Sequence, residues 1–502
     1  MKNFGKKAIM LGVMMAMTMA TTAHAANNNW KQEEFVISTF HAVPGVPNGY
    51  TVQLLAKVKE ANLNYVETTF SSQATNLLVL ETCEQLGLKA IIQDYNMFGG
   101  YQDIEVPATT DEEIAKSVEN AMNTYGKYES LAGYYIWDEP YQNQFELVRK
   151  TIDAFAAKEP NRLLFVGSQQ SSSPSYHWED GTFKSYIDDY ASIVDPPLMM
   201  SNYSYFYHDV DNGTPLEQSG VWNDLAYLRK IALEKDIPFW YYVQLVGDPV
   251  QNTLANMTVD KVRFEVNNLL AYGVKGITYY NTHMALTDDY GRPTELFDGV
   301  KQINKETMVL GNAILPLTSK LVYHTGNVRN DYGYADEISD SQLLASATDG
   351  LVIGEFASDD GKDFIFITAR TYDRPYEGEV RFKNKVRVDK MNKETGKYEL
   401  VGMEVDSMDL DYIAGEGNLF RISEANAEIA AEEDGVSIST VTSSEENSSA
   451  SGSSETATSQ TKSNGSFKTI TLIVSICLVV LLAAAGIGGF VYKKNKRKDV
   501  QK

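Results

Sequence analysis

Hydrophobic residues fall into short apolar runs between about Phe35 and Gly311, alternating with longer stretches whose apolar positions recur at helical spacing. The runs predict strands over Phe35–Phe40, Asn64–Phe70, Lys89–Tyr95, Ala132–Trp137, Arg162–Gly167, Leu198–Tyr205, Phe239–Gln244 and Gly276–Asn281. The intervening stretches predict helices, among them Val52–Ala61, Glu112–Tyr125, Phe145–Ala157, Trp222–Glu234 and Asp260–Tyr272. Glycines, prolines and short polar clusters separate them. Strand starts recur roughly every 34 residues, and eight βα units over about 250 residues is the arithmetic of a (β/α)8 TIM barrel. An open doubly wound sheet is the other arrangement of this pattern, but the first strand is not followed by a dinucleotide-type glycine fingerprint.

The texture changes after about Leu315. Leu351–Phe356 and Asp363–Ala369 flank Ser358-Asp359-Asp360-Gly361-Lys362, and Asn392 to Lys397 is a second turn signal. The chain therefore predicts an α/β barrel over 33–314 followed by a small antiparallel β-sandwich over 315–423. Residues 424–467 are Ser, Thr, Glu and Ala with almost no large apolar side chain, the composition of a disordered stalk.

Both ends add information. Lys2, Lys6 and Lys7, the apolar run Ala8 to Ala20 and Ala23-His24-Ala25 read as a signal peptide over 1–25. Residues 469–492 are apolar enough and long enough to cross a bilayer, and the basic residues of 493–502 place that side in the cytoplasm. The expected location is the cell membrane, with a single pass through the C-terminal helix and the bulk of the chain outside the cell. The two cysteines, Cys83 and Cys477, cannot meet if Cys477 lies in the span.

Of the 502 residues, 43% are hydrophobic, and the formal net charge is −23. That balance fits a solvated surface and argues against a nucleic-acid partner, which needs a basic face. No CxxC pair, HExxH motif or P-loop occurs, and no dedicated metal site or cofactor is expected, with a structural calcium on carboxylates the one alternative left open.

The most informative segment is Gly133-Tyr134-Tyr135-Ile136-Trp137-Asp138-Glu139-Pro140, an aromatic run that ends in two carboxylates and a proline. Ionised carboxylates are costly to bury, so they belong at the mouth of a strand facing a cleft. The pattern resembles the fourth strand of clan A glycoside hydrolases, and the helix-to-strand passage Leu269 to Ile277 is similar to that preceding their eighth strand. The likeness spans roughly residues 33–311. It implies an extracellular glycan as substrate, with Glu139 as general acid/base and Asp138 beside it, either orienting Glu139 or binding a sugar hydroxyl.

A barrel keeps its active site at the C-terminal ends of its strands. The expected ring is His41, Glu67, Asp94 with Asn96, Asp138 and Glu139, Gln169, Asn202 with Tyr203 and Tyr205, Gln244, and Asn281 with His283. Carboxylates, amides and aromatics together suit a polyhydroxylated ligand. His41 and His283 stand between ligand contact and structural hydrogen bonding, and Trp137 and Trp240 read as barrel packing. The seventh strand departs from the family: it offers Gln244 where clan A enzymes keep a nucleophilic Glu. Asp94 is then the first choice of second carboxylate and Glu67 the next, acting directly or on a water. A substrate acetamido group oriented by Asp138 is another route. The alternative is a barrel that binds glycans without cleaving them.

Overall fold

The computed structural model describes residues 28–427 except 45–47, 102–107, 179–180, 203, 207–219, 248–255 and 327–334. The chain divides into two units, 1–439 and 440–502. The second unit, the expected signal peptide, most of the expected stalk, the apolar segment 469–492 and the basic tail lie outside the described residues. Among the described residues no helix is long and apolar enough to cross a membrane.

All eight expected barrel strands are present: β1 (Val36–Phe40), β2 (Tyr65–Ser71), β3 (Lys89–Asp94), β5 (Leu131–Asp138), β6 (Leu163–Gly167), β7 (Met199–Ser201), β8 (Phe239–Gln244) and β9 (Gly276–Tyr280). The two-residue β4 (Gly100–Tyr101) adds to the edge of β5. Pairing is parallel and runs β7-β8-β9-β1-β2-β3-β5-β6. The circle closes without a ladder: the backbone N–H and the hydroxyl of Ser168, just past β6, both donate to the Met200 carbonyl in β7, at 2.9 and 2.8 Å. The parallel sheet thus curls into a TIM-barrel-like fold.

Strand alternation sorts the barrel's side chains into two layers. Val36, Phe40, Ile91, Tyr135, Phe165, Met200, Trp240 and Tyr242 fill the interior. Ile37, Ala90, Ile92, Val166, Tyr241 and Ile277 face the surrounding helices. Trp240 is fully buried and donates its indole N–H to Gln32 at 2.8 Å, with Trp30 edge-on to it, so residues 30–32 plug the N-terminal end of the barrel.

The helices are α1 (Thr51–Glu60), α2 (Gln73–Leu86), α3 (Asp111–Tyr125), α4 (Phe145–Ala156), α5 (Phe183–Asp189), α6 (Val221–Lys235), α7 (Val259–Ala271), α8 (Thr282–Ala285) and α9 (Phe297–Ile314). Their starts are written locally. Ser72 caps α2, Thr258 caps α7, and Thr110 with Glu113 forms a capping box on α3.

The C-terminal region is antiparallel as expected, but its seven strands belong to one continuous sheet: β10 (Thr318–His324), β11 (Leu344–Ala347), β12 (Leu351–Ala357), β13 (Asp363–Ala369), β14 (Tyr376–Met391), β15 (Tyr398–Tyr412) and β16 (Gly417–Glu424). The expected sandwich is replaced by one sheet joined through β14, which pairs with β11 through its first half and with β16 through its second. Register shifts between Arg381 and Asp389 bend it between the two. One face of the sheet encloses its own core around Ile353, Ile365, Val380 and Leu410. The other packs on α7, where Gly354 lies so close to the Ala271 carbonyl that a Cβ would stand 2.0 Å from it. Asn267 and Arg263 of α7 donate to the carbonyls of Gly415 and Ala414, at 2.9 and 3.0 Å.

Candidate active site at the barrel mouth

The site is built on a defect in β5. Its register against β6 slips between Tyr135 and Trp137, a bulge that inserts one extra residue. Tyr135 points into the barrel, while Ile136 and Trp137 both join the helix-facing core. Asp138 is thereby turned inward, 2.8 Å from the Tyr135 hydroxyl. Strict alternation would have sent it outward.

Glu139 follows in the left-handed region, with φ 50°. A non-glycine residue there, directly before a proline, is unfavourable unless its surroundings hold it. Here they do. The Glu139 N–H donates to the Gly167 carbonyl at 3.0 Å, and Gln169 Nε2 donates to the Glu139 carbonyl at 2.8 Å. The Tyr186 hydroxyl donates to the Pro140 carbonyl at 2.9 Å. The Glu139 carboxylate emerges half-buried at the mouth, and Asn202 Nδ2, beyond β7, donates to its Oε1 at 2.6 Å. Asn202 Oδ1 is buried with no partner among the described residues. Tyr101 of β4 lies opposite Asp138 in the pairing, and its phenol is pushed above its ordinary range by burial and by the charges of Glu139 and Asp138.

Behind the mouth a second carboxylate is tied to the first pair. Glu67 is 1% exposed and accepts from the Thr278 hydroxyl at 2.8 Å and the Tyr242 hydroxyl at 3.0 Å. The Tyr242 and Tyr135 oxygens are 3.3 Å apart. Burial pushes Glu67 up to about 7, although its hydroxyl partners favour the ionised form. Burial also raises Asp138 well above the carboxylate range, with the adjacent Glu139 charge adding to the effect.

The other expected residues divide. Asp94 is not brought together with Glu139. It stands in β3 at the parity of Ala90 and Ile92, faces the helices, and accepts from the hydroxyl of Tyr125 in α3 and from the Asn96 N–H at 3.0 Å. Asn96 itself is exposed in the turn. Gln244 ends β8 with the right parity, but its amide is turned to protein. Its Nε2 donates to the Phe206 carbonyl at 3.2 Å and the Val246 carbonyl at 3.4 Å, and its Oε1 accepts from the Phe206 N–H at 3.2 Å. The buried Glu265 of α7 accepts the Gln244 backbone N–H at 2.8 Å. His41, at φ 53°, is held neutral: burial, then His283, lowers it to about 4. His283 Nε2 lies 3.1 Å from Asp289 Oδ1. Asn281 adopts φ 68° and donates its N–H to the Phe40 carbonyl at 3.0 Å, which turns the chain off β9. Tyr203 lies outside the described residues, and Tyr205 is buried among Phe206, Trp222 and Phe264. Among the described residues no group of three His, Cys, Asp or Glu side chains could hold a metal ion.

Sequence reasoning did not single out Tyr135, Tyr242, Tyr101 or Tyr186. The signal for the first two was available: each is a tyrosine at an inward position two or three residues before a strand's end.

No family model matches the chain, and no curated protein matches it. Solved structures do resemble it. A GH27 β-L-arabinopyranosidase from Geobacillus stearothermophilus shares 8% identity, with 81% of this chain and 100% of that one covered, at a TM-score of 0.50. A glycoside hydrolase family 5 protein from Bacteroides vulgatus shares 10% identity over 78% of this chain and 89% of its own, at a TM-score of 0.48. The α-galactosidase I of Mortierella vinacea shares 10% identity over 81% and 100%, again at 0.48. The chain has a glycoside hydrolase-like fold.

Proposed function

We propose that this chain is a glycoside hydrolase, with Glu139 as the general acid/base acting on a glycan. The observation that carries the reading is the pinned, strained backbone at Glu139. A positive-φ residue before proline, held by Gly167, Gln169 and Tyr186, sets one carboxylate at the C-terminal mouth of the barrel. Asn202 fixes that carboxylate's orientation and offers its unpartnered Oδ1 to a hydroxyl. A sugar supplies such a hydroxyl, and Tyr101 adds an aromatic face with its own hydroxyl beside both carboxylates.

Asp94 faces the helices, so the second carboxylate of the reaction comes from Glu67 and Asp138. Product anomeric configuration separates their roles. Inversion fits a water activated by one of them, and retention confined to N-acetylated sugars fits a substrate acetamido group oriented by Asp138. The test of the reading is release of reducing ends from a panel of polysaccharides and aryl glycosides by the wild-type chain and by Glu139→Gln. Turnover by the first and none by the second supports it. Unchanged turnover by Glu139→Gln removes it.

A second reading, a surface protein that binds glycans without cleaving them, is favoured by Gln244: an amide stands at the seventh strand's end and is engaged with the Phe206 backbone. Glycan binding with no cleavage of any substrate would select it.

The proposal includes a location. The sequence supports export by residues 1–25 and tethering by 469–492. Protease added to intact cells should then release a soluble fragment carrying the barrel. A fragment that stays with the membrane contradicts a single C-terminal anchor.

A further inference from the structure

We infer that Glu67 and Asp138 hold a single proton between them, passed through the hydroxyls of Tyr242 and Tyr135, and that this pair is the proton store behind Glu139. The last clause rests on the reading of Glu139 given above; the shared proton does not.

Four oxygens lie in a row inside the barrel: Asp138 Oδ1, the Tyr135 hydroxyl, the Tyr242 hydroxyl and Glu67 Oε2. Their separations are 2.8, 3.3 and 3.0 Å. Three gaps need three hydrogens, and the two tyrosines supply two. If both carboxylates were ionised, each tyrosine would give its hydrogen to its own carboxylate. The two phenol oxygens would then face each other at 3.3 Å with lone pairs alone between them. In a dry interior that contact is repulsive and uncompensated. One further hydrogen on either carboxylate completes the row.

The groups packed around the row make the same demand. Burial, then the charges of Asp138 and Glu67, hold both phenols well above their ordinary range, so neither ionises in place of a carboxyl. The ionisable groups that face Asp138 are Glu139, Tyr101, Tyr186, Tyr135, Tyr242 and Glu67, and those that face Glu67 are Tyr242, Tyr135 and Asp138. No lysine, arginine or histidine is among them. Glu67 and Asp138 are two buried carboxylates with no cation facing them among the described residues, so they cannot both be ionised at modest cost, and neutralising one of them relieves the pair.

The proton moves without any group diffusing. With the hydrogen on Asp138, its O–H points to Tyr135, whose O–H points to Tyr242, whose O–H points to Glu67. Reversal breaks those three O–H bonds and forms three others: Asp138 gives its proton to Tyr135, Tyr135 to Tyr242, and Tyr242 to Glu67. The pair keeps a net charge of one throughout, while the negative charge moves from Glu67 to Asp138, next to Glu139. Asp138 can thus be neutral while Glu139 is ionised and charged while Glu139 is protonated.

The test is infrared difference spectroscopy of the full chain at neutral pH, reading the carbonyl stretch of protonated carboxylic acids. Glu67→Gln and Asp138→Asn are compared with the wild type, and circular dichroism confirms folding. In Glu67→Gln the amide N–H supplies the third hydrogen, so Asp138 no longer needs one; Asp138→Asn does the same for Glu67. The proposal therefore expects each single variant to lose the same acid band. Loss in Asp138→Asn with retention in Glu67→Gln assigns the proton to Asp138 alone and overturns sharing; the reverse pattern assigns it to Glu67 alone and also overturns it. No band lost in either variant overturns the proposal, since it leaves both groups ionised. If a variant fails to fold, the wild-type chain with Tyr242→Phe decides instead. Breaking the row must shift the pH at which the band disappears, and an unshifted titration refutes the relay. These readouts need no turnover, so an inactive chain with the shared band would sink the hydrolase reading and leave the proton pair standing.

Discussion

Replacing Gln244 with Glu puts at this strand end the residue type that the sequence resemblance to clan A barrels leads one to expect, and the structure expects it to do harm. Gln244 is 3% exposed, and its Nε2 donates to two backbone carbonyls at 3.2 and 3.4 Å. A carboxylate there would set an oxygen against both. The side chain would protonate instead, and Glu67 in the same barrel indicates how far, at about 7 against an ordinary 4.5. A shift of about 2.5 units corresponds to ~3 kcal/mol at neutral pH and above. The protonated acid donates once where the amide donates twice, which adds ~1 kcal/mol. Spread over the unfolding entropy of a unit of about 400 residues, the total lowers Tm by ~5 °C. The sign with pH is fixed as well. A folded pKa above the unfolded value means the variant is closest to wild type in acid and loses stability as pH rises from about 4.5 through about 7. Thermal and urea unfolding of the two proteins across that window is the assay. Equal stability at neutral pH, or a gain in turnover for Gln244→Glu, would refute the argument that this amide is a backbone clamp.

Three further outcomes are expected. Asp224 is buried, accepts the Ser171 N–H at 2.9 Å, has an unpartnered Oδ1, and is raised by burial from 3.8 to about 7. Asp224→Asn should therefore flatten the fall of stability between those pH values and gain up to ~4 kcal/mol above them, as read by urea unfolding. A variant with the wild-type slope would place that slope elsewhere. Gln169→Ala removes the donor to the Glu139 carbonyl and the acceptor for the Ser173 hydroxyl, and should cost ~1–3 kcal/mol of stability. If Glu139 is the acid/base, kcat should fall more than KM in that variant, because the carboxylate is displaced rather than removed.

The barrel was legible in the sequence because a buried parallel strand leaves an apolar run that a surrounding helix does not. The strand over Leu198–Tyr205 was overread: only Met199–Ser201 pairs, because the chain leaves the sheet to place Asn202 on Glu139. The place of Glu139 at a strand's end was legible too, through the carboxylates and proline that end an aromatic run. The direction in which the neighbouring residues point was not. Asp138 faces inward through a bulge, which no residue in Tyr135-Ile136-Trp137 announces, and Asp94 faces outward by plain alternation once β3 is fixed from Lys89. The role of Gln244 depends on Phe206, thirty-eight residues away, a contact that local pattern cannot carry. The C-terminal strands were legible from their turns, whereas their union in one sheet depends on the long bent β14.

The most direct test of the central claim is the dependence of Glu139→Gln on the leaving group. A general acid matters in proportion to the basicity of the oxygen it protonates. The account predicts a loss of at least about 10²-fold in kcat/KM on a glycan or alkyl glycoside, whose leaving oxygen needs a proton. On a dinitrophenyl glycoside of the same sugar, which departs without one, the loss should be far smaller. Equal losses on both substrates, or no loss on either by a folded variant, would contradict Glu139 as the acid.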